Sequence, residues 1–303
     1  MKRTQLVSTA DLQRREVDFL IEEAESLRGK TTQDLKGKVV AALFFEPSTR
    51  TRLSFESAAL RLGASVISVA DASTTSTKKG ETLADTIRVF DKLADIIVMR
   101  QPTAGAAEEA IKYTPKPLVN GGDGANQHPS QALLDMYTIH RERGMIDGLT
   151  ITFVGDIKFS RTVHSLIYIL AQYKVKIIFV SPDELKIPPQ YLEILKKAGV
   201  PFEEMSDFAG AIKKSDILYM TRVQKERFDS EAEYLKHKGA YILTPELVHM
   251  GGKHLRVMHP LPRVDEITPD VDEMPQAAYF RQVENGLYMR MALLKNLSKN
   301  YYG

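Results

Sequence analysis

No cysteine occurs among the 303 residues. That excludes disulfides, thiolate nucleophiles and thiolate-bound metals, and it fits a reducing compartment. Long apolar runs are also missing: nothing approaches the ~18 residues of a membrane span. The opening segment, MKRTQLVSTADLQRREVDFL, has no apolar h-region, so no signal peptide is expected and a soluble, cytoplasmic protein is the default. An excess of one charge is absent as well. Lys and Arg number 41 against 39 Asp and Glu, a net +2, so no overall field draws the chain to nucleic acid or a membrane surface. Any anion site must be built locally from a few placed cations.

Several catalytic signatures are absent in turn. There is no G-x-x-x-x-G-K-[ST] loop and no G-x-S-x-G elbow. The turn after ITFVG reads Asp156-Ile157-Lys158-Phe159-Ser160-Arg161 rather than G-x-G-x-x-G, which argues against a dinucleotide. The histidines lack metal-ligand spacing, so no metal and no cofactor are expected. No residue is placed as a covalent nucleophile.

What is present is ordinary globular composition, 43% hydrophobic and 26% charged, at a length comfortable for two domains. Residues 8–29 read as a helix capped by Ser8 or Thr9. Apolar strand-like runs follow at Val39–Phe45, Ala64–Ala70, Asp95–Met99 and Pro117–Asn120, alternating with helical spacing at Leu53–Leu62, Glu81–Leu93 and Pro129–His140. Asp71–Gly80 reads as a loop. The alternation restarts at Leu149, with strands at 151–156, Lys176–Val180, Asp216–Met220 and Leu255–Met258, and ends in a long amphipathic helix, Ala277–Lys299. The pattern predicts an α/β chain: two doubly wound parallel-sheet domains joined by helices, with the active site in the cleft between them. The break falls in or just after the helix 129–143.

In such sheets ligands bind at the carboxyl ends of strands. Polar residues placed there are Ser48, Thr49, Arg50, Thr51 and Arg52; Arg100 and Gln101; His128 and Gln131; Lys158, Arg161, Thr162 and His164; Thr221, Arg222, Gln224 and Arg227; and Leu261-Pro262-Arg263. The set is rich in guanidinium, amide and hydroxyl groups and poor in carboxylates, which suits more than one anion. The stretch Phe44–Arg52 stands out. Amide groups at a helix start, hydroxyls and an Arg fork together suit a tetrahedral dianion. Its other reading is a Ser/Thr-rich helix cap with solvated arginines. Arg161 and Arg222 also have a structural reading, as ion pairs with Glu46 or Asp156.

Six segments in order, FFEPSTRTRLSFE (44–56), KKGETLADT (78–86), HPSQALLD (128–135), GDIKFSRTVHSL (155–166), YMTRVQKER (219–227) and HPLPRVDEI (259–267), give the chain a resemblance to the catalytic chains of the aspartate carbamoyltransferase family. The resemblance runs nearly the whole length. HPLPR stands where the ornithine enzymes carry a Cys-containing segment, and Lys78-Lys79 and Arg222-Val223-Gln224 match the aspartate type.

The resemblance implies a carbamoyl-phosphate domain, 1–130 with the C-terminal helix 286–303, and an aspartate domain, 131–285. Ser48, Thr49, Arg50 and Thr51 would hold the phosphate. Arg100 would bridge phosphate and carbonyl; Thr51, Arg100 and His128 would polarise that carbonyl. Gln131 and the Leu261-Pro262 backbone would grip the carbamoyl amide. Arg161, Thr162, Arg222 and Gln224 would take the carboxylates of L-aspartate. Ser76 and Lys79 would enter from a neighbouring subunit of a homotrimer, and Glu46, Arg161 and Arg227 would pair on domain closure. Separate regulatory chains are a further family possibility. The 71–80 loop is one residue shorter than the family pattern, and Phe159 stands where Tyr is common. The alternatives are a transcarbamylase for another amine such as ornithine, and a catalytically silent anion-binding scaffold.

Overall fold

A computed structural model of the chain describes residues 3–71, 76–224, 228 and 230–303, without the side chains of Ser76 and Thr77. The chain divides into two units. Unit 1 is Met1–Tyr137 with Val283–Gly303, and unit 2 is Thr138–Gln282.

Unit 1 runs α1 (Arg14–Leu27), β1 (Val39–Phe44), α2 (Thr49–Arg61), β2 (Ser65–Val69), α3 (Leu83–Leu93), β3 (Ile96–Gln101), α4 (Ala106–Ala110), β4 (Leu118–Asp123) and the first part of α5 (Pro129–Arg143). Its sheet has the order β2-β1-β3-β4, every pairing parallel. The apolar run VVAALF makes β1 a central strand, buried from Val40 onward because helices cover both faces. Its register sets Leu43 beside Met99 and Phe44 beside Arg100. One core packs Ala41, Leu43, Ile97, Met99 and Leu118 against Ile87 and Ala107.

Unit 2 continues with β5 (Thr150–Val154), α6 (Arg161–Leu170), β6 (Lys176–Val180), α7 (Pro189–Ala198), β7 (Phe202–Met205), α8 (Phe208–Lys214), β8 (Ile217–Met220), α9 (Glu231–His237), α10 (Pro245–Met250) and β9 (Arg256–Met258). Its five strands run β7-β6-β5-β8-β9, again all parallel. Val154, Ile178, Leu218, Met220 and Val257 anchor its core. The last helix, α11 (Tyr279–Tyr302), starts in unit 2 and supplies the final segment of unit 1. There it is tied by Lys295 to Glu23 at 2.9 Å and by Asn300 to the Arg3 carbonyl at 2.8 Å.

Several expectations change. The first helix starts at Arg14, not Ser8, because the Glu16 carboxylate accepts the Gln13 amide at 3.1 Å and closes that end. Thr9 is buried instead, its hydroxyl donating to Gln127 Oε1 at 2.9 Å. The loop Asp71–Gly80 contains a short 3₁₀ turn, Ser76–Lys79. Strand β4 also runs on through Asp123, past the expected end at Asn120.

Candidate active site

In unit 1 the carboxyl ends of three adjacent strands, β1, β3 and β4, deliver the polar residues. β1 ends at Phe44 and Pro47 precedes α2, so Ser48 takes the N-cap position in an extended conformation. A serine there ordinarily caps its own helix. Ser48 makes no such bond; its hydroxyl accepts from Arg100 Nη1 at 3.3 Å. The first-turn amides of α2 are therefore left without a side-chain cap, at the positive end of the helix dipole. Thr49 and Arg50 are exposed on this turn and Thr51 is buried. Arg52 faces elsewhere and pairs with Glu56 at 2.8 Å.

Arg100 lies where the β3–β4 register shifts, between Met99 and Gln101. Its Nε donates to Glu46 Oε1 at 2.6 Å, with both side chains mostly buried. Glu46 thus grips one edge of the guanidinium while the Nη1 edge meets Ser48. His128 ends the β4–α5 connection, Gln131 lies in the first turn of α5, and both are buried. Ser130 Oγ lies 3.5 Å from His128 Nδ1, and Gln131 Nε2 donates to Asp135 Oδ1 at 2.9 Å. Behind Asp135 stands Arg290 of α11, fully buried, its guanidinium pushed down to about 10 by burial against the pull of Asp135.

The loop that presents His128 is built around Asp123, a fully buried carboxylate. It accepts from Asn120 Nδ2, Asn126 Nδ2 and the Gly105 amide, each at 2.9 Å, and from the Gln127 amide at 3.0 Å. Four donors on one carboxylate fix the turn.

Unit 2 repeats the plan at β5, β8 and β9, which are also adjacent. Gly155 follows β5 with φ +108, and a Cβ there would stand 2.3 Å from the Thr221 carbonyl oxygen, so only glycine lets the two strand ends approach this closely. Thr221 Oγ1 donates to the Val154 carbonyl at 2.8 Å. Asp156, fully buried, accepts the Phe159 amide at 3.0 Å and the Gln224 amide at 3.4 Å. Burial pushes its carboxyl up, against those bonds and against Lys158 and Arg222. Gln224 Nε2 closes the seam on the Phe159 carbonyl at 3.1 Å.

This stitching sets Arg161 and Thr162 at the start of α6 alongside Arg222 and Gln224 after β8. Thr162 Oγ1 lies 3.1 Å from Ser160 Oγ. From below, His164 Nε2 donates to the Ile157 carbonyl at 2.9 Å while its ring stacks on Tyr191 at 4.2 Å. Burial holds that imidazole neutral, down to about 4. After β9, Leu261 and Pro262 form a turn in which Leu261 has φ 54 and the bond to Pro262 is cis. Arg263 is spent on structure: Asp272 takes its fork and the Tyr279 hydroxyl takes Nη1 at 3.2 Å.

The structure therefore brings Glu46, Ser48, Thr49, Arg50, Thr51, Arg100, His128 and Gln131 to one sheet end of unit 1. It brings Arg161, Thr162, Arg222, Gln224, Leu261 and Pro262 to one sheet end of unit 2. Lys79 is exposed at the end of its 3₁₀ turn, Ser76 opens that turn, and Arg227 lies outside the described residues. The supporting carboxylates Asp123, Asp135 and Asp156 escape a sequence search for anion-binding groups. Their signal is an ionisable residue in or just past a buried strand or inside an apolar helix, where a charge persists only with partners. Among the described residues no cluster of His, Asp and Glu has the arrangement to hold a metal ion, and no helix is long and apolar enough to cross a membrane.

Comparison with known proteins covers nearly the whole chain. Residues 4–141 match the aspartate/ornithine carbamoyltransferase carbamoyl-P binding domain, and residues 147–297 the Asp/Orn binding domain of the same family. The aspartate carbamoyltransferase catalytic subunit of Thermococcus gammatolerans is 50% identical over 95% of this chain and 96% of its own length. That of Methanocaldococcus jannaschii is 49% identical over 98% and 99%. The solved catalytic subunit of M. jannaschii aspartate transcarbamoylase superposes with TM-score 0.91 at 48% identity, covering 99% of this chain and 98% of that one. The Trypanosoma cruzi enzyme in complex with carbamoyl phosphate and aspartate gives 0.92 at 40% identity, covering 97% of each. The chain belongs to the aspartate/ornithine carbamoyltransferase family.

Proposed function

We propose that the chain transfers the carbamoyl group of carbamoyl phosphate to the amine of L-aspartate, giving N-carbamoyl-L-aspartate and phosphate. The observation that carries this reading is the Ser48 hydroxyl, turned from its own helix toward Arg100. It leaves amides, a guanidinium and hydroxyls available to one tetrahedral anion. Ser48, Thr49, Arg50 and Thr51 take the phosphate; Thr51, Arg100 and His128 donate to the carbonyl oxygen as it becomes an oxyanion. Gln131 and the Leu261-Pro262 backbone orient the carbamoyl amide. Arg161, Thr162, Arg222 and Gln224 hold the aspartate carboxylates, with Lys79.

Two anions must be brought together. At ~4 Å, unit charges repel by about 4 kcal/mol at an effective dielectric of ~20. Fixed guanidiniums offset that repulsion. The free amine attacks the carbonyl carbon, the tetrahedral oxyanion collapses, and the C–O bond to phosphate breaks. The departing phosphate dianion accepts the amine proton, so no side-chain base is required. The assembly we infer is a homotrimer in which Ser76 and Lys79 reach a neighbouring subunit's site, open to separate regulatory chains. Its setting is cytoplasmic, in de novo pyrimidine synthesis.

The test is carbamoyl transfer by the purified chain to L-aspartate and to L-ornithine. Turnover with aspartate alone supports the reading. Turnover with ornithine moves the chain to the sister activity, and none with either amine makes it a silent scaffold.

A further inference from the structure

The turn after β9 carries a buried imidazole–carboxylate pair to which no step above assigns a role. His259 and Glu266 have side chains only 1% and 8% exposed, and His259 Nε2 lies 2.7 Å from Glu266 Oε1. On its other side the ring meets the Leu261 amide: that N–H donates to His259 Nδ1 at 2.8 Å. The second Glu266 oxygen accepts the Val264 and Asp265 amides, each at 3.1 Å. The His259 amide itself is held by Gln282 Oε1 at 3.0 Å.

These contacts fix the protonation. A backbone N–H can only donate, so Nδ1 is a bare acceptor. The ring proton then sits on Nε2 and donates to Glu266. Burial opposes the imidazolium, as do Arg263 and Arg222, and together they outweigh the pull of Glu266, so the ring stays neutral. Glu266 is held below the usual carboxylate range by His259 and by the turn amides, although burial resists this. Between Leu261 and Asp265, three consecutive-turn amides thus end on one His–Glu pair. Leu261 is also the only non-glycine residue with positive φ among the described residues. A leucine enters that region only when its surroundings hold it there.

We propose that His259 and Glu266 are positioning residues for carbamoyl transfer: the pair locks the Nε2–H tautomer, and the bare Nδ1 pins the Leu261 amide and so aims the Leu261 carbonyl that orients the carbamoyl group. The proposal rests on the function given above for Leu261. It makes His259 a backbone clamp whose useful atom is a lone pair.

Two measurements test it. The first is a solid-state nitrogen spectrum of protein labelled at its seven histidines, with His259 assigned by its loss in His259→Asn. The expected signature is an unprotonated Nδ1 and a protonated Nε2. A proton on Nδ1 overturns the clamp. The second compares two amide replacements in steady-state kinetics. An Asn oxygen falls near the Nδ1 position and can still accept from Leu261, whereas a Gln amide falls near Nε2 and cannot. His259→Gln is expected to lower kcat/KM for carbamoyl phosphate by about thirtyfold or more, with His259→Asn within about fivefold of the parent. Equal loss in both, at matched thermal stability, overturns the proposal. A parent chain with no carbamoyl transfer overturns the functional reading instead, and the nitrogen spectrum still decides the tautomer.

Discussion

Replacing Glu46 with Gln separates two things the residue does to Arg100. The carboxylate orients the guanidinium through the 2.6 Å bond at Nε. Under the proposed function it also neutralises part of the charge an incoming phosphate needs. A Gln oxygen can keep the first and removes the second. The relevant separation from Glu46 to a phosphate on the far edge of the guanidinium is on the order of 6 Å, and at an effective dielectric of ~40–80 each unit of phosphate charge is repelled by about 0.7–1.4 kcal/mol. Since both side chains remain partly in contact with water, the weaker end applies, giving about 1–2 kcal/mol for a dianion. Glu46→Gln is therefore expected to tighten binding of a stable phosphonate analogue of carbamoyl phosphate by roughly five- to thirtyfold. Glu46→Ala removes charge and anchor together; losing the orienting bond gives back about 1 kcal/mol, so its gain is smaller. Titration calorimetry at low and high salt measures both, and the Gln gain shrinks as salt screens it. Unchanged or weaker binding in Glu46→Gln would refute the reasoning and make orientation the dominant role of Glu46.

Three further outcomes are expected. Gly155→Ala would force a Cβ to within 2.3 Å of the Thr221 oxygen at φ +108, and should destabilise the fold by more than about 3 kcal/mol; an unchanged melting temperature would contradict the close approach of β5 and β8. Asp135→Asn removes the carboxylate that supports the charge on buried Arg290, costing about 3 kcal/mol in denaturant unfolding, with Asp135→Leu combined with Arg290→Met recovering most of it. His164 is neutral when folded, its value lowered to about 4, while the unfolded chain takes up a proton below about 6.5. Its contribution is therefore complete above about pH 6.5 and is lost as pH falls toward 4, at up to about 1.4 kcal/mol per pH unit. His164→Gln should flatten that slope in urea unfolding between pH 7 and 4; an unaltered slope would place the titration elsewhere.

The strands that carry the site were legible because each central one is a short unbroken apolar run, as in VVAALF and ILYM. β7 was not: FEEM carries two glutamates, and as an edge strand it has no apolar run to read. α9 buries none of its residues, so it leaves no helical stripe either. Within the site, Arg100, His128, Arg161 and Arg222 follow from the rule of strand ends. The behaviour of Ser48 does not, because an N-cap serine reads the same whether it caps its helix or turns to an arginine. Glu46 gripping Arg100 is likewise a geometric fact that spacing cannot express. Arg263 shows the reverse error: it stands at a strand end but is consumed by Asp272.

Unit 1 is assembled from two pieces of chain, and its second piece, Val283–Gly303, is synthesised only after the whole of unit 2. Unit 2, Thr138–Gln282, is continuous. On a ribosome the later-coded unit can therefore finish folding first. Unit 1 waits, with the places of Leu293, Leu294 and Leu297 unfilled and Asp135 still without Arg290, until the final helix emerges. Nascent chains should depend on chaperones most in that interval, and lesions in the final helix should be felt in the phosphate-binding half, far away in sequence.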